Sequence, residues 1–308
     1  MARTLVVGGC GFLGSHLVDA LRSKGHEVRV LDLQPIPSEL RVGWKGVEFQ
    51  KGDMLDAHAL ARAVEDRDFV FHYATTTIPR TSIADPELDN QNLVAALRLI
   101  KACAAAKVTK IVFPSSGGTV YGKPDQVPIP EDALPRPGSP YAATKVAIEH
   151  QLAIAERAHA LDYAVLRYGN PYGPRQNPTG KMGIVSVFLG LLRRGETPTL
   201  FGDGSTTKDF FYAEDAASAA LAVLPPSSQK VFNVASGRGT TIRQLLEAME
   251  DVVGRKIEPK KAPPVPGDEP TCVLDIRRIR DVYGWQPKVD LREGLRRTWS
   301  WIQALPGF

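Results

Sequence analysis

The chain has 308 residues, with 38 Lys and Arg against 34 Asp and Glu, 43% hydrophobic and 23% charged. That balance is ordinary for a soluble globular protein and excludes a disordered or fibrous chain. The net charge of +4 comes from scattered residues, with Arg pairs at 193–194, 277–278 and 296–297 inside helix-like stretches, so the clustered basic stripe of a nucleic-acid binder is missing.

Apolar runs fall short of the roughly 18 residues of a membrane span, and the opening MARTLVVGG is too soon interrupted by glycine to act as a signal peptide. Cys10, Cys103 and Cys272 share no metal-ligand or disulfide spacing. No metal site and no membrane contact are expected, and a reducing, cytoplasmic location is.

From the N-terminus, short apolar runs at Thr4–Val7, Val28–Asp32, Val47–Gln50, Phe69–Tyr73, Lys110–Phe113 and Tyr163–Arg167 read as strands. Helical spacing lies between them at Phe12–Lys24, which ends on Gly25, and at Asn92–Ala106 and Tyr141–Leu161. Strands that are apolar without strict alternation fit a parallel sheet covered on both faces, and the class is α/β, a doubly wound parallel-sheet Rossmann domain. Beyond Arg167 the chain is rich in Gly and Pro through residue 183. A helix to about Gly195, a strand at Thr199–Phe201, a polar loop Gly202–Lys208, a helix Ala213–Leu224, a strand Val231–Val234 and three further helices follow. This predicts a first domain over 1–167 and a smaller α/β region over 168–308, of which about 209–234 packs back on the first domain.

The first strand runs into Gly8-Gly9-Cys10-Gly11-Phe12-Leu13-Gly14 and then a helix. Glycines there permit a tight turn and let backbone N–H groups reach a pyrophosphate at a helix N-terminus, where the macrodipole favours negative charge. Asp32 ends the second strand, 21 residues after Gly11. A carboxylate at that place accepts hydrogen bonds from a ribose and repels a 2′-phosphate, which favours NAD over NADP. Tyr141 and Lys145, four apart at a helix start, share one face. The ammonium is expected to depress the phenol's pKa from about 10 toward neutrality, so that the pair serves as a base beside a hydride acceptor.

With these motifs in order, and with Gly52–Asp56, His72–Ala74, Asn92, Ser115–Gly122, Arg167–Pro174, Asp209–Asp215 and Gly284–Pro287 around them, the chain resembles the extended short-chain dehydrogenase/reductases. The resemblance is to their NAD-dependent sugar-nucleotide epimerase/dehydratase branch, over essentially the whole chain. It implies that Gly8, Gly11, Phe12, Leu13, Asp53, Met54, Ala74 and Thr75 line the NAD site, that Lys145 also holds the nicotinamide ribose, and that Tyr168 packs near the nicotinamide. It further implies a nucleotide diphosphate sugar as substrate, Asn170 on its phosphates, Phe201 beside its base, and a homodimer through the two long helices.

The chain departs from this family at three places. The hydroxyl that usually assists the tyrosine would stand three residues before Val120, where this chain has Gly117; Thr119 or Ser116, or a water, is left to take its place. Dehydratases and decarboxylases of the family carry Asp or Glu at the next two positions, here Gly118 and Thr119, so epimerisation through a transient 4-keto sugar is the expected reaction. The alternatives are a sugar-nucleotide oxidoreductase and a non-catalytic NAD-binding sensor. Finally, Lys208 and Val265 stand where relatives place diphosphate-gripping arginines, and Arg175, Lys181, Arg193 and Arg238 are candidate replacements.

Overall fold

Leu5, Val6 and Val7 are essentially without solvent exposure, and they point to alternate faces as a strand requires. The computed structural model describes residues 1–180, 182–264 and 271–306. In chain order it runs β1 (Arg3–Val7), α1 (Phe12–Ser23), β2 (Glu27–Asp32), β3 (Glu48–Lys51), α2 (Ala57–Val64), β4 (Phe69–His72), α3 (Pro79–Ala84), α4 (Glu87–Ala105), β5 (Lys110–Ser116), α5 (Pro140–His159) and β6 (Asp162–Tyr168). The rest is β7 (Asn170–Tyr172), α6 (Ile184–Arg193), β8 (Thr199–Phe201), β9 (Thr207–Lys208), β10 (Phe210–Tyr212), α7 (Ala213–Ala222), β11 (Val231–Val234), β12 (Thr240–Thr241), α8 (Ile242–Val253), β13 (Lys260–Ala262), α9 (Arg277–Tyr283) and α10 (Leu291–Ala304).

Seven strands form one parallel sheet in the order β11-β6-β5-β4-β1-β2-β3. The order reverses between β1 and β4, and a crevice opens there at the carboxyl ends of the strands. Val6 belongs to a core shared with α1 and α7, whereas Leu5 and Val7 pack with α2, α4 and α5 on the other face. The alanines of α7 (Ala216, Ala217, Ala219, Ala220) let it lie close on Leu17, Val18 and Leu21 of α1. A third core joins α6, α8 and α10 through Phe188, Leu189, Leu245, Met249, Leu295 and Ile302. No helix of the described residues is long and apolar enough to cross a membrane.

The structure differs from the sequence reading in extent more than in kind. Strand β5 continues three residues past Phe113, because Ser115 and Ser116 stay in register with Arg167 and Tyr168 of β6. Helix α4 starts five residues before Asn92, with Glu87 and Asp89 in its first turn, where negative charge suits the macrodipole. The short helices α2 and α3 were not expected; α2 is started by the Asp56 carboxylate, which accepts from the His58 amide at 2.8 Å.

A buried ion pair joins three of these elements. Arg167 of β6 donates from Nη2 to Glu149 of α5 at 2.6 Å, and both side chains are 7% exposed. Ser115 of β5 donates to the same carboxylate at 2.5 Å, and Arg167 Nη1 donates to the Tyr121 hydroxyl at 3.0 Å. Removing one partner of such a pair strands the other charge in the interior. Glu149→Gln is expected to lower stability by about 3–5 kcal/mol, read from the midpoint of chemical denaturation.

Candidate active site

The glycine loop is shaped by close approaches. Gly8 has φ +83°, and a Cβ there would lie 2.5 Å from the Ala74 amide nitrogen. A Cβ on Gly14 would lie 2.1 Å from the Gly8 carbonyl oxygen. Helix α1 starts behind Gly11 with no side-chain cap, so its first N–H groups are left for a ligand. Asp32 accepts from the Cys10 amide at 2.9 Å and from the Gln34 amide at 2.9 Å, which holds its carboxylate at the loop with lone pairs to spare.

This loop forms one wall of a cavity of about 630 Å³ that also contains Asp53, Met54, Ala74, Thr75, Tyr168 and Lys145. Every residue expected at the cofactor, from Gly8 to Tyr168, lines it. The phosphate cradle at a helix N-terminus, the acid at the end of β2 and the size of the cavity fit a dinucleotide. Tyr168 is fixed by hydrogen bonds of its hydroxyl to Tyr73 at 2.7 Å and to the Ala216 carbonyl at 3.1 Å.

A second cavity, of about 470 Å³, adjoins the first and shares Phe12, Leu13, Ser116, Tyr141 and Met182 with it. It contains Thr119, Asn170, Phe201 and Lys208, as expected for a substrate site. Thr119 Oγ1 and Asn170 Oδ1 are buried there without a hydrogen-bond partner among the described residues, and such atoms are costly unless a ligand or water satisfies them. No Asp or Glu of the described residues lines this cavity.

Arg175 is not at either cavity. It adopts φ +69° and pairs with Asp19 of α1 at 2.6 Å, so the expectation of a phosphate grip from Arg175 fails. Arg193 and Arg238 are exposed and line neither cavity, while Lys181 and Val265 lie outside the described residues.

Tyr141 enters the site at the first turn of α5, where the Ser139 hydroxyl accepts from the Ala142 amide at 3.2 Å and Pro140 takes the first helical position. Lys145 follows one turn later. Its Nζ donates to the Pro114 carbonyl at 3.0 Å and lies 5.5 Å from the centre of the Tyr141 ring. Burial lowers Lys145 to about 8. Tyr141 is not depressed: burial, with the nearby Asp89 carboxylate, pushes it up to about 12. The expected lowering by the ammonium alone is therefore corrected. In the protein by itself the phenol stays neutral, because its desolvation and the Asp89 carboxylate outweigh the nearby ammonium.

Gly117 has a packing reason. A Cβ there would meet Leu274 Cδ1 at 2.5 Å and the Arg167 carbonyl oxygen at 3.0 Å, so the space that a family hydroxyl would occupy is filled from the residues after 270. The sequence carried no sign of this, since Leu274 comes near Gly117 only in the fold. Glu149 and Asp89 were also not anticipated as neighbours of the site. Glu149 could have been found as the residue one turn beyond Lys145 on the same helix face.

A model of the NAD dependent epimerase/dehydratase family matches residues 4–235. A UDP-glucose 4-epimerase of Mycolicibacterium smegmatis is 40% identical over 303 residues, covering 96% of this chain and 97% of its own. The crystal structure of the UDP-glucose 4-epimerase of Thermotoga maritima with UDP-glucose superposes with a TM-score of 0.93 at 36% identity, covering 98% of both chains. That of the Thermus thermophilus enzyme in complex with NAD gives 0.89 at 39% identity, covering 98% of this chain and 99% of its own.

Overpacking of a filled site costs about 1–3 kcal/mol. Gly117→Ser, which restores the family hydroxyl, is expected to lower the stability read from chemical denaturation by that amount and to give no gain in turnover. With a parallel sheet whose crevice carries the dinucleotide loop, and with likeness running from end to end, the chain belongs to the NAD-dependent epimerase/dehydratase family.

Proposed function

We propose that the protein interconverts nucleotide diphosphate sugars, as a UDP-hexose or UDP-hexuronate 4-epimerase, through a transient 4-keto sugar. The carrying observation is that the dinucleotide cavity and a carboxylate-free second cavity meet at Tyr141 and Ser116. The names of the relatives, UDP-glucose 4-epimerases, support the same substrate class.

Bound NAD supplies a reversible hydride acceptor and a positive charge at its nicotinamide ring. Tyr141 takes the proton of the sugar hydroxyl as that carbon is oxidised and returns it when the carbonyl is reduced on the opposite face, so no net proton or electron is consumed. Added positive charge is what the phenol needs, since its raised pKa keeps it neutral in the protein alone. Lys145, fixed on the Pro114 carbonyl, holds the ribose side of the cofactor. The Thr119 hydroxyl, buried and unpaired, is the donor placed for the sugar oxygen, with Ser116 as the other candidate. Asn170 and Lys208 face the phosphates, Lys with a charge but without the bidentate fork of arginine.

Dehydration is disfavoured because it needs a further acid or base where Gly118 and Thr119 stand. The oxidoreductase reading predicts net formation or loss of NADH, and the sensor reading predicts binding without turnover. Incubating the protein with a panel of nucleotide sugars under proton NMR separates these readings. Interconversion of two C4 epimers without net NADH is the expected result, and no C4 product from any sugar overturns the proposal. Tyr141→Phe should lower kcat by about 10²–10⁴-fold while NAD binding persists. Thr119→Val should cost up to about 10²–10³-fold in kcat if its hydroxyl is the donor; an unchanged kcat passes the role to Ser116 or water.

The long helices α4 and α5 leave Val94, Leu97 and Ile154 partly exposed, which supports a homodimer across that face. Leu97→Glu should then convert a dimer to a monomer in sedimentation velocity. A cytoplasmic location is supported by three cysteines that are all free thiols.

A further inference from the structure

Behind the Tyr141–Lys145 pair, between β4, α4 and α5, lies a small cavity of about 10 Å³, room for one water centre. Asp89, His72, Tyr141, Thr144 and Lys145 line it. Asp89 is 2% and His72 5% exposed. One Asp89 oxygen accepts from the Thr77 hydroxyl at 2.6 Å. Its other oxygen, and His72 Nδ1, are buried without a hydrogen-bond partner among the described residues. The Thr77 bond fixes the carboxylate, since Thr77 also accepts from Asn92 Nδ2 at 2.9 Å and Asn92 in turn accepts from the Thr76 amide at 3.0 Å. Lys145 has three N–H donors, of which the Pro114 carbonyl takes one.

A buried carboxylate oxygen, an imidazole nitrogen and an ammonium around a space of one water are the two to four polar partners that a buried water requires. We infer that Asp89 is a positioning residue for the Tyr141–Lys145 pair, acting through one water held in this cavity between its unpaired oxygen, His72 Nδ1 and the Lys145 ammonium. The inference rests on Tyr141 and Lys145 being the acid–base pair.

The charged and titratable groups around the pair are Asp89 from α4, His72 from β4 and Glu149 from α5. His72 is neutral, held down to about 3 by burial and by Lys145, so it acts as a hydrogen-bonding group and not as a charge. Asp89 and Glu149 both favour the charged form of Lys145, and Asp89 opposes ionisation of Tyr141. The carboxylate thus has one consequence for each member of the pair. It keeps the ammonium charged to higher pH, and it keeps the phenol protonated to higher pH.

Asp89→Asn preserves shape and removes the charge. Tyr141 then loses a like charge and Lys145 an opposite one, so both pKa values fall. The acid and alkaline limbs of the kcat profile are expected to move together toward lower pH by about half a unit or more, and Asp89→Glu is expected to move them back. A loss of kcat that is the same at every pH, with both limbs in place, is what a merely structural role gives and overturns the inference. A second readout needs no variant and no turnover. A high-resolution crystal structure of the wild-type protein is expected to show water density within hydrogen-bond distance of Asp89 Oδ2, and an empty cavity overturns the inference even if Asp89→Asn does not fold. Tyr141→Phe separates the two levels. Full activity in Tyr141→Phe overturns the acid–base reading and this inference with it, whereas an inactive Tyr141→Phe beside an Asp89→Asn profile that matches the wild type overturns this inference alone.

Discussion

The buried pairing of Arg167 with Glu149 is the constraint on which the site depends. Glu149 lies one helical turn beyond Lys145, which lies one turn beyond Tyr141, so clamping Glu149 to β6 sets both the rotation and the height of α5 against the sheet. Ser115 ties the same carboxylate to β5, and the next carbonyl back along β5, that of Pro114, receives the Lys145 ammonium. Side chains one turn apart on one helix are thereby referenced to the same strand. A buried charge pair is a poor source of net stability, because desolvation offsets most of its attraction. Its use here is geometric, since no apolar contact would fix the angle of a helix as narrowly as a multidentate guanidinium.

Packing and chemistry compete at the turn after β5. Gly117 is squeezed between Leu274 and the Arg167 carbonyl, so a side chain there has to push Leu274 aside. Gly118 has nothing nearer than 3.8 Å to its missing Cβ, and Thr119, which lines the second cavity, has a buried hydroxyl with no hydrogen-bond partner among the described residues. In the reaction proposed above, the role of the missing hydroxyl passes to Thr119, two residues further along the chain. The crowding at Gly117 follows from bringing Leu274 against the turn that ends β5.

Electrostatics at Tyr141 run against simple pairwise reasoning. An ammonium one turn away should favour a phenolate, yet burial of the phenol itself outweighs it. Desolvation acts on the two groups with opposite signs, lowering the amine and raising the phenol, and Asp89 adds to the second effect. The phenol is thereby kept protonated in the protein by itself.

What the sequence determined by itself was the order of the seven sheet strands and of the longer helices, the glycine loop with Asp32, and the Tyr141–Lys145 pair. These signals are local: a turn needs glycine within a few residues of its strand, and two side chains four apart share a helix face whatever surrounds them. Phe201, Lys208 and Asn170 were legible only through resemblance, because the second cavity is assembled from residues scattered along most of the chain. The tertiary structure alone decided that Arg175 pairs with Asp19, that Gly117 is crowded by Leu274, that β5 extends to Ser116, and that Tyr141 is raised and not lowered. Each of these depends on which atoms from distant parts of the chain fill the same few ångströms, and on how much water they exclude, which no spacing along the sequence encodes.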